Sequence, residues 1–122
     1  MTLAPGIRCE DEFVVEDLLL TDVEGTLGER VLSTPGMIAM MERTAARLAL
    51  EHLPPDRATV GFEVCVKHVA GAGEGARCAV TAVLTDVVEE RKLFFDVEVC
   101  EGERTIGVGT HQRRVVPATH RG

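Results

Sequence analysis

The chain has 122 residues, of which 45% are hydrophobic and 27% charged, and its net charge is −7. This length and balance predict one globular domain over residues 1–122 and exclude a disordered chain. The acidic charge argues against nucleic acid and anionic membrane surfaces as partners, because both bind basic patches. No apolar run approaches the ~20 residues that cross a bilayer, and residues 1–9 lack a signal-peptide pattern, so we expect a cytoplasmic protein.

The first predicted element is a strand at residues 7–15. Its inward positions are apolar and alternate with charged ones, and the apolar positions are Ile7, Cys9, Phe13 and Val15. Residues 16–30 are acidic and contain Gly25 and Gly28. They predict a surface loop or lid with a short helical turn at residues 17–20.

The clearest element is a helix at residues 34–53. Thr34 is its predicted N-cap, and Pro35 stands at the first helical position, where a missing N–H costs nothing. Pro54 and Pro55 end the helix. An apolar stripe recurs at helical spacing and consists of Ile38, Met41, Ala45, Leu48 and Ala49.

Four strands are predicted after the helix, at residues 59–69, 77–88, 93–100 and 105–116. The turns between consecutive strands are short, which predicts antiparallel hairpins. The order β-α-β-β-β-β predicts an α+β fold in which an antiparallel sheet wraps around one helix. One helix and a thin sheet leave apolar surface and a strand edge uncovered, so we expect a homodimer with both subunits lining each site.

Glu42 is the most informative residue, because it lies on the apolar stripe of the predicted helix. The positions that could pair with it along the helix are Ile38, Ala39, Ala45 and Ala46, and none is basic. An inward carboxylate without a local partner must find a distant one or keep its proton. This favours a general base or nucleophile; the alternative is a boundary residue that is hydrogen-bonded to the backbone or to a strand residue.

Histidines supply the second candidate. His68 ends the first strand after the helix and shares the parity of Val60, Phe62, Val64 and Val66, which puts it on the apolar face. A side chain that titrates near neutrality suits proton transfer there, and the alternative is a hydrogen-bonded core histidine. His111, which shares its parity with two glycines, carries less weight, as does His120 in the tail. His52 at the helix end is assigned no chemistry.

Two further residues, Thr34 and Arg113, each have two competing interpretations. Thr34 is an N-cap, or a hydroxyl beside the helix N-terminus, which can stabilise an oxyanion. Arg113 is a contact for a substrate phosphate at the rim of the site, or an ordinary surface charge. The four cysteines lack CxxC spacing, which argues against a zinc site or a redox dithiol, and the expected cytosolic location argues against a structural disulfide. We predict no metal and no cofactor.

Three segments carry a family resemblance: TPGMIAMME at residues 34–42, VGFEVCVKH at 60–68 and GVGTH at 107–111. With them, residues 6–116 resemble the hotdog-fold thioesterase superfamily, and within it most closely the fluoroacetyl-CoA thioesterases. The resemblance implies a hotdog fold, a curved antiparallel sheet wrapped around one long helix. It also implies a threonine, a glutamate and a histidine in the site, which Thr34, Glu42 and His68 match in type and in spacing.

The implied reaction is hydrolysis of an acyl-CoA thioester. Glu42 would attack the thioester carbonyl or activate the attacking group, His68 would transfer protons, and Thr34 would orient Glu42 or the carbonyl. Gly61 matches a glycine near the acyl group. The other predicted substrate contacts are Ile38, Met41 and Arg113.

One departure from the family concerns the lid. Fluoroacetyl-CoA thioesterase has two lid phenylalanines nine and six residues before its threonine, where this chain has Gly25 and Gly28. The resemblance therefore implies thioester hydrolysis without fluoroacetyl selectivity, and the apolar side chains of Ile38 and Met41 beside a glycine-bearing loop favour a short to medium acyl group. Two alternatives are a non-catalytic hotdog module that binds acyl-CoA or another small ligand, and a dehydratase acting on an acyl thioester.

Overall fold

The computed structural model describes residues 3–119, so His120 lies outside the described residues. Three strands precede the long helix: β1 (Arg8–Val14), β2 (Leu20–Thr21) and β3 (Val31–Leu32). The helix, α1 (Thr34–Leu50), is followed by β4 (Arg57–His68), β5 (Arg77–Val88), β6 (Lys92–Glu101) and β7 (Arg104–Pro117). The predicted α+β order is confirmed, and these four strands begin and end close to their predicted bounds.

Five strands form one antiparallel sheet in the order β1-β5-β6-β7-β4. The predicted hairpin between the first two strands after the helix is wrong, because β4 pairs with β7. The connection between β4 and β5 does not form a hairpin turn, because its backbone is hydrogen-bonded to other segments. The N–H of Val69 donates to the carbonyl of Ile106, and the N–H of Leu32 donates to the carbonyl of Ala72. As a result β4 is an edge strand.

The helix packs on one face of this sheet along its apolar stripe. Buried helix residues include Met37, Met41, Ala45, Leu48 and Ala49. Gly107 of β7 makes this packing possible, because a β-carbon there would lie 2.3 Å from Sδ of Met37. Within residues 3–119, no helix has the length and apolar character needed to cross a membrane.

The start of the helix differs from the prediction. Ser33, not Thr34, is the N-cap: its hydroxyl accepts a hydrogen bond from the N–H of Gly36 at 2.9 Å. Thr34 and Pro35 are the first helical residues, and the helix ends at Leu50, before the predicted end at residue 53. Because Ser33 caps the helix, the hydroxyl of Thr34 can bond elsewhere.

A β-bulge in β4 decides which of its side chains face the helix. The register with β7 shifts between Gly61 and Glu63, and an extra residue at this point reverses the alternation of side chains. His68 remains on the helix side, whereas Val60 and Phe62 lie on the outer face, 49% and 62% exposed. The predicted common face of these residues is therefore wrong for Val60 and Phe62.

The loop over residues 16–30 lies against the N-terminus of α1. It begins with a short 3-10 turn, Asp17–Leu19, which confirms the predicted helical turn. The carbonyl of Leu19 accepts the N–H of Ser33, and β2 pairs with β3 to close the loop. Residues 23–30 are exposed.

Asp11 of β1 connects the sheet to α1. The buried Thr44 donates to Oδ2 of Asp11 at 2.9 Å, and Arg47 donates to Oδ1 at 2.6 Å. The hydrogen bond from Arg47 is the main cause that lowers the pKa of Asp11; the bond from Thr44 and the nearby positive charges act in the same direction, and burial opposes them.

Replacing Asp11 with asparagine should therefore destabilise the fold in a pH-dependent way. A depressed folded-state pKa means that the charged carboxylate stabilises the fold above its unfolded pKa of about 3.9 and loses this effect as the pH falls through the folded pKa. We expect Asp11→Asn to lower the free energy of unfolding by about 1 kcal/mol at neutral pH, a modest value because Asp11 and Arg47 are partly exposed. Urea unfolding across this pH range measures the effect.

The matched control is Glu51→Gln, because Glu51 is an exposed ion-pair partner of the same Arg47 and the substitution removes its negative charge. We expect a smaller loss of stability from it. If the loss of unfolding free energy in Asp11→Asn stayed constant down to about pH 2, this would contradict the electrostatic explanation.

Candidate active site

Thr34 and His68 form the first part of the site. Oγ1 of Thr34 lies 2.9 Å from Nδ1 of His68, which joins the start of α1 to the end of β4. The other ring nitrogen, Nε2, is buried and has no hydrogen-bond partner within the described chain. Since the pair lies at the positive end of the helix dipole, it can exchange a proton beside a group that becomes negative.

Glu42 forms the second part of the site, and Arg113 is its distant partner. Oε2 of Glu42 lies 3.9 Å from Nη1 of Arg113, and the glutamate side chain is 41% exposed. Gly61 makes room for this carboxylate, because a β-carbon at residue 61 would lie 2.7 Å from Oε2. The structure thus supplies the non-local partner that the helix sequence lacks.

Arg113 lies inside the protein, so the interpretation as an ordinary surface charge is wrong. It is 7% exposed, because its place in β7 directs it to the helix side of the sheet. Its Nε donates to Oγ1 of Thr59 at 2.7 Å, and its Nη2 donates to the carbonyl of Thr59 at 3.1 Å. Burial lowers the pKa of Arg113, and the charge of Glu42 opposes this shift.

His111 is a residue of this site that sequence reasoning underrated. It is 1% exposed, its Nδ1 lies 2.8 Å from the carbonyl oxygen of Glu63, and its Nε2 lies 3.2 Å from Nη1 of Arg113. Its ring stacks on Phe95 with centroids 6.1 Å apart. The available sequence signal was that His111 shares the parity of Gly107 in the strand. Gly107 faces the helix, so residues of the same parity in β7 lie on the helix side as well.

Within one chain the predicted site residues fall into two groups. One group is Thr34 and His68; the other is Glu42, Gly61 and Arg113. Thr34 and Glu42 are separated by about 12 Å of helix rise. Across residues 3–119, no hydrogen bond or ion pair joins the two groups.

The two remaining predicted contacts lie on the helix between these groups. Ile38 is half-buried, one turn from Glu42, whereas Met41 is buried in the core and its Cε approaches Gly107. The same described residues contain no group of three or more His, Cys, Asp or Glu side chains placed to hold a metal ion.

Comparison with known proteins decides the family. The sequence model of the family FlK, described as fluoroacetyl-CoA-specific thioesterase, matches residues 14–119. The chain belongs to this thioesterase family. The resemblance inferred from residues 34–42, 60–68 and 107–111 is confirmed.

Similar proteins agree with this assignment. The fluoroacetyl-CoA thioesterase of Streptantibioticus cattleyicolor is 36% identical over 86 residues, which cover 70% of this chain and 61% of that protein. The solved structure of the fluoroacetyl-CoA thioesterase FlK has a TM-score of 0.86 at 30% identity, covering 95% of this chain and 90% of that one. A Thermus thermophilus thioesterase superfamily member has a TM-score of 0.85 at 24% identity, covering 95% and 85%. The predicted hotdog fold is confirmed.

This member of the thioesterase family has no phenylalanine in residues 16–30. Gly25 adopts a φ of +82°, which disfavours a side chain there. Gly28 does not have a positive φ, and a β-carbon at residue 28 would meet nothing within 4 Å. Position 28 can therefore accept an aromatic side chain without backbone strain.

Proposed function

We propose that this protein hydrolyses short to medium acyl-CoA thioesters to a carboxylic acid and free CoA. The observation that carries the proposal is the 2.9 Å contact between Thr34 and His68 at the N-terminus of α1, in a chain of a thioesterase family. The substrate class is supported by solved structures of FlK variants in complex with fluoroacetate and CoA and with acetyl-CoA.

In the proposed reaction the thioester carbonyl lies near the N-terminus of α1, whose dipole stabilises the oxyanion. Glu42 of the second subunit, in the dimer proposed below, either attacks the carbonyl carbon, forming an anhydride that water then opens, or takes the proton of an attacking water. The carbon–sulfur bond breaks, and Nε2 of His68 delivers a proton to the leaving thiolate. The proton that the attacking water loses then returns to His68, which restores the site. Thr34 holds the His68 ring through Nδ1.

The acyl group is proposed to lie beside Glu42. Gly61 lets this carboxylate approach the backbone of β4, and the guanidinium of Arg113 borders it. The half-buried Ile38 is proposed as an apolar wall for the acyl group, and the buried Met41 as a contact on the core side. This arrangement gives substrate-binding roles to Gly61, Ile38, Met41 and Arg113.

A homodimer is proposed to unite the two groups of site residues. In this dimer β4, an edge strand with exposed Val60 and Phe62, pairs antiparallel with the β4 of a second copy. Gly61 and Glu42 lie toward one end of β4, and His68 with Thr34 lies at the other. Antiparallel pairing brings opposite strand ends together, so Glu42 of one copy would meet His68 of the other.

A panel of acyl-CoAs tests the proposed function and its substrate range. We expect kcat/KM to rise from acetyl toward octanoyl by up to about fourfold per methylene, the equivalent of 0.8 kcal/mol, until the pocket is full. Because the lid has glycines in place of aromatic residues, fluoroacetyl-CoA should have no special advantage over acetyl-CoA. Released thiol is measured against a substrate-free control, since the protein has four free cysteines.

Gly28→Phe provides the matching test of the lid, with Gly28→Ala as control. The aromatic variant should narrow the acyl range, whereas the alanine variant should not. A fluoroacetyl-to-acetyl ratio of ~1,000 or more in the unmodified protein would show that another segment provides the gate. Binding without turnover would favour a non-catalytic module, and interconversion of hydroxyacyl-CoA and enoyl-CoA would favour a dehydratase.

A further inference from the structure

The neutral ring of His111 has one defined hydrogen-bonding arrangement. The carbonyl oxygen of Glu63, 2.8 Å from Nδ1, can only accept, so Nδ1 carries the proton. Nε2 is then an acceptor. It accepts a hydrogen bond from Nη1 of Arg113 at 3.2 Å, because a guanidinium group can only donate. The stack on Phe95 fixes the plane of the ring.

Arg113 is held by three hydrogen bonds that leave it short of Glu42. Two go to Thr59 and the third goes to His111. The remaining separation from Nη1 to Oε2 of Glu42, 3.9 Å, exceeds the 2.7–3.2 Å of a hydrogen bond. Arg113 is therefore close enough to attract Glu42 but does not occupy its oxygen atoms.

We propose that His111 is a positioning residue, which holds Arg113 away from a direct bond with Glu42 and so leaves that carboxylate available for water or the thioester. This inference rests on the proposed function. Without the acceptor at Nε2, Nη1 of Arg113 would turn to the nearest acceptor, Oε2 of Glu42, and form a close ion pair that competes with substrate.

The surroundings of His111 keep it in the accepting state. Burial is the largest cause, and it lowers the pKa of His111. The hydrogen bond to the Glu63 carbonyl opposes this shift, the charge of Arg113 adds to it, and the charge of Glu42 has the smallest effect, in the raising direction. The charged groups that act on the ring are Arg113 from β7 and Glu42 from α1, and Phe95 of β6 is uncharged. At neutral pH the ring stays neutral and can accept from Arg113.

The test compares His111→Phe, which keeps a ring but removes the acceptor, with His111→Gln, whose oxygen can accept from Nη1. We expect the phenylalanine variant to lose ~10-fold in kcat with little change in KM, and the glutamine variant to recover most of that loss. In an Arg113→Ala background, His111→Phe should have no further effect on kcat, because the inferred role acts only through Arg113. A normal kcat per folded molecule, or an equal loss in both backgrounds, would overturn the inference.

A second readout separates this inference from the proposed function. If the unmodified protein hydrolysed no acyl-CoA, the proposed function would fail, yet nitrogen-15 NMR would still report the side-chain N–H groups of Arg113. We expect distinct resonances in the unmodified protein and in His111→Gln, and shifted or averaged ones in His111→Phe. Resonances of Arg113 that do not change in His111→Phe would overturn the positioning role.

Discussion

Replacing Glu42 with glutamine is expected to lower kcat at least ~100-fold, the scale for loss of a positioned acid–base or nucleophilic group. Glutamine keeps nearly the same shape but neither takes a proton nor attacks a carbonyl. The free energy of unfolding should change by about 1 kcal/mol at most, because the Glu42 side chain is 41% exposed and Arg113 keeps its bonds to Thr59 and His111. Turnover of the best acyl-CoA and urea unfolding are the two measurements.

The matched control for this variant is Glu51→Gln, which makes the same change at the exposed C-terminal end of α1. It should turn over substrate at the normal rate. If Glu42→Gln also turned over normally, or if its loss only matched its unfolded fraction, Glu42 would be a structural residue.

Mixing two inactive variants is expected to restore activity if each site takes Glu42 from one subunit and His68 from the other. In a heterodimer of Glu42→Gln and His68→Ala, one site carries both substitutions and the other carries neither. With random exchange of subunits, half of the dimers are mixed and half of their sites are intact, so the mixture should reach about a quarter of normal activity. Activity is measured before and after exchange under mild denaturation.

Two controls accompany this experiment. Light scattering must show a dimer, since a stable monomer at micromolar concentration would contradict the proposed assembly. A mixture of Glu42→Gln with Thr34→Ala should behave like the first mixture, because Thr34 contacts His68 within its own chain. If neither mixture gained activity after verified exchange, Glu42 and His68 would act from the same subunit.

The parts of this protein that depend on neighbouring residues along the chain could be predicted from its sequence. The helix stripe and the four long strands follow from local spacing of apolar residues, and α1 and β4–β7 were placed close to their observed bounds. The absence of a local partner for Glu42 is also a property of the helix alone. The segments at residues 34–42, 60–68 and 107–111 were enough to indicate the family, and Thr34, Glu42 and His68 match it in type and in spacing.

The tertiary structure decided what depends on residues distant in sequence. The pairing of β4 with β7, rather than β5, depends on contacts from β3 and β7 to the connecting segment. The bulge after Gly61 reverses which residues of β4 face outward. A bulge depends on the register with the neighbouring strand, so the alternation of residues along one strand cannot predict it.

The same reason explains the misjudged residues of the site. Arg113 stands next to a second arginine, a pattern typical of surface charges, and His111 lies between small and polar neighbours. Both are buried because β7 is covered by α1 on the side that they share, and each then finds its partners in other strands or in the helix. Local sequence determined which side chains this protein has for chemistry, and long-range packing decided which of them meet, because burial and partners are properties of the assembled sheet and helix.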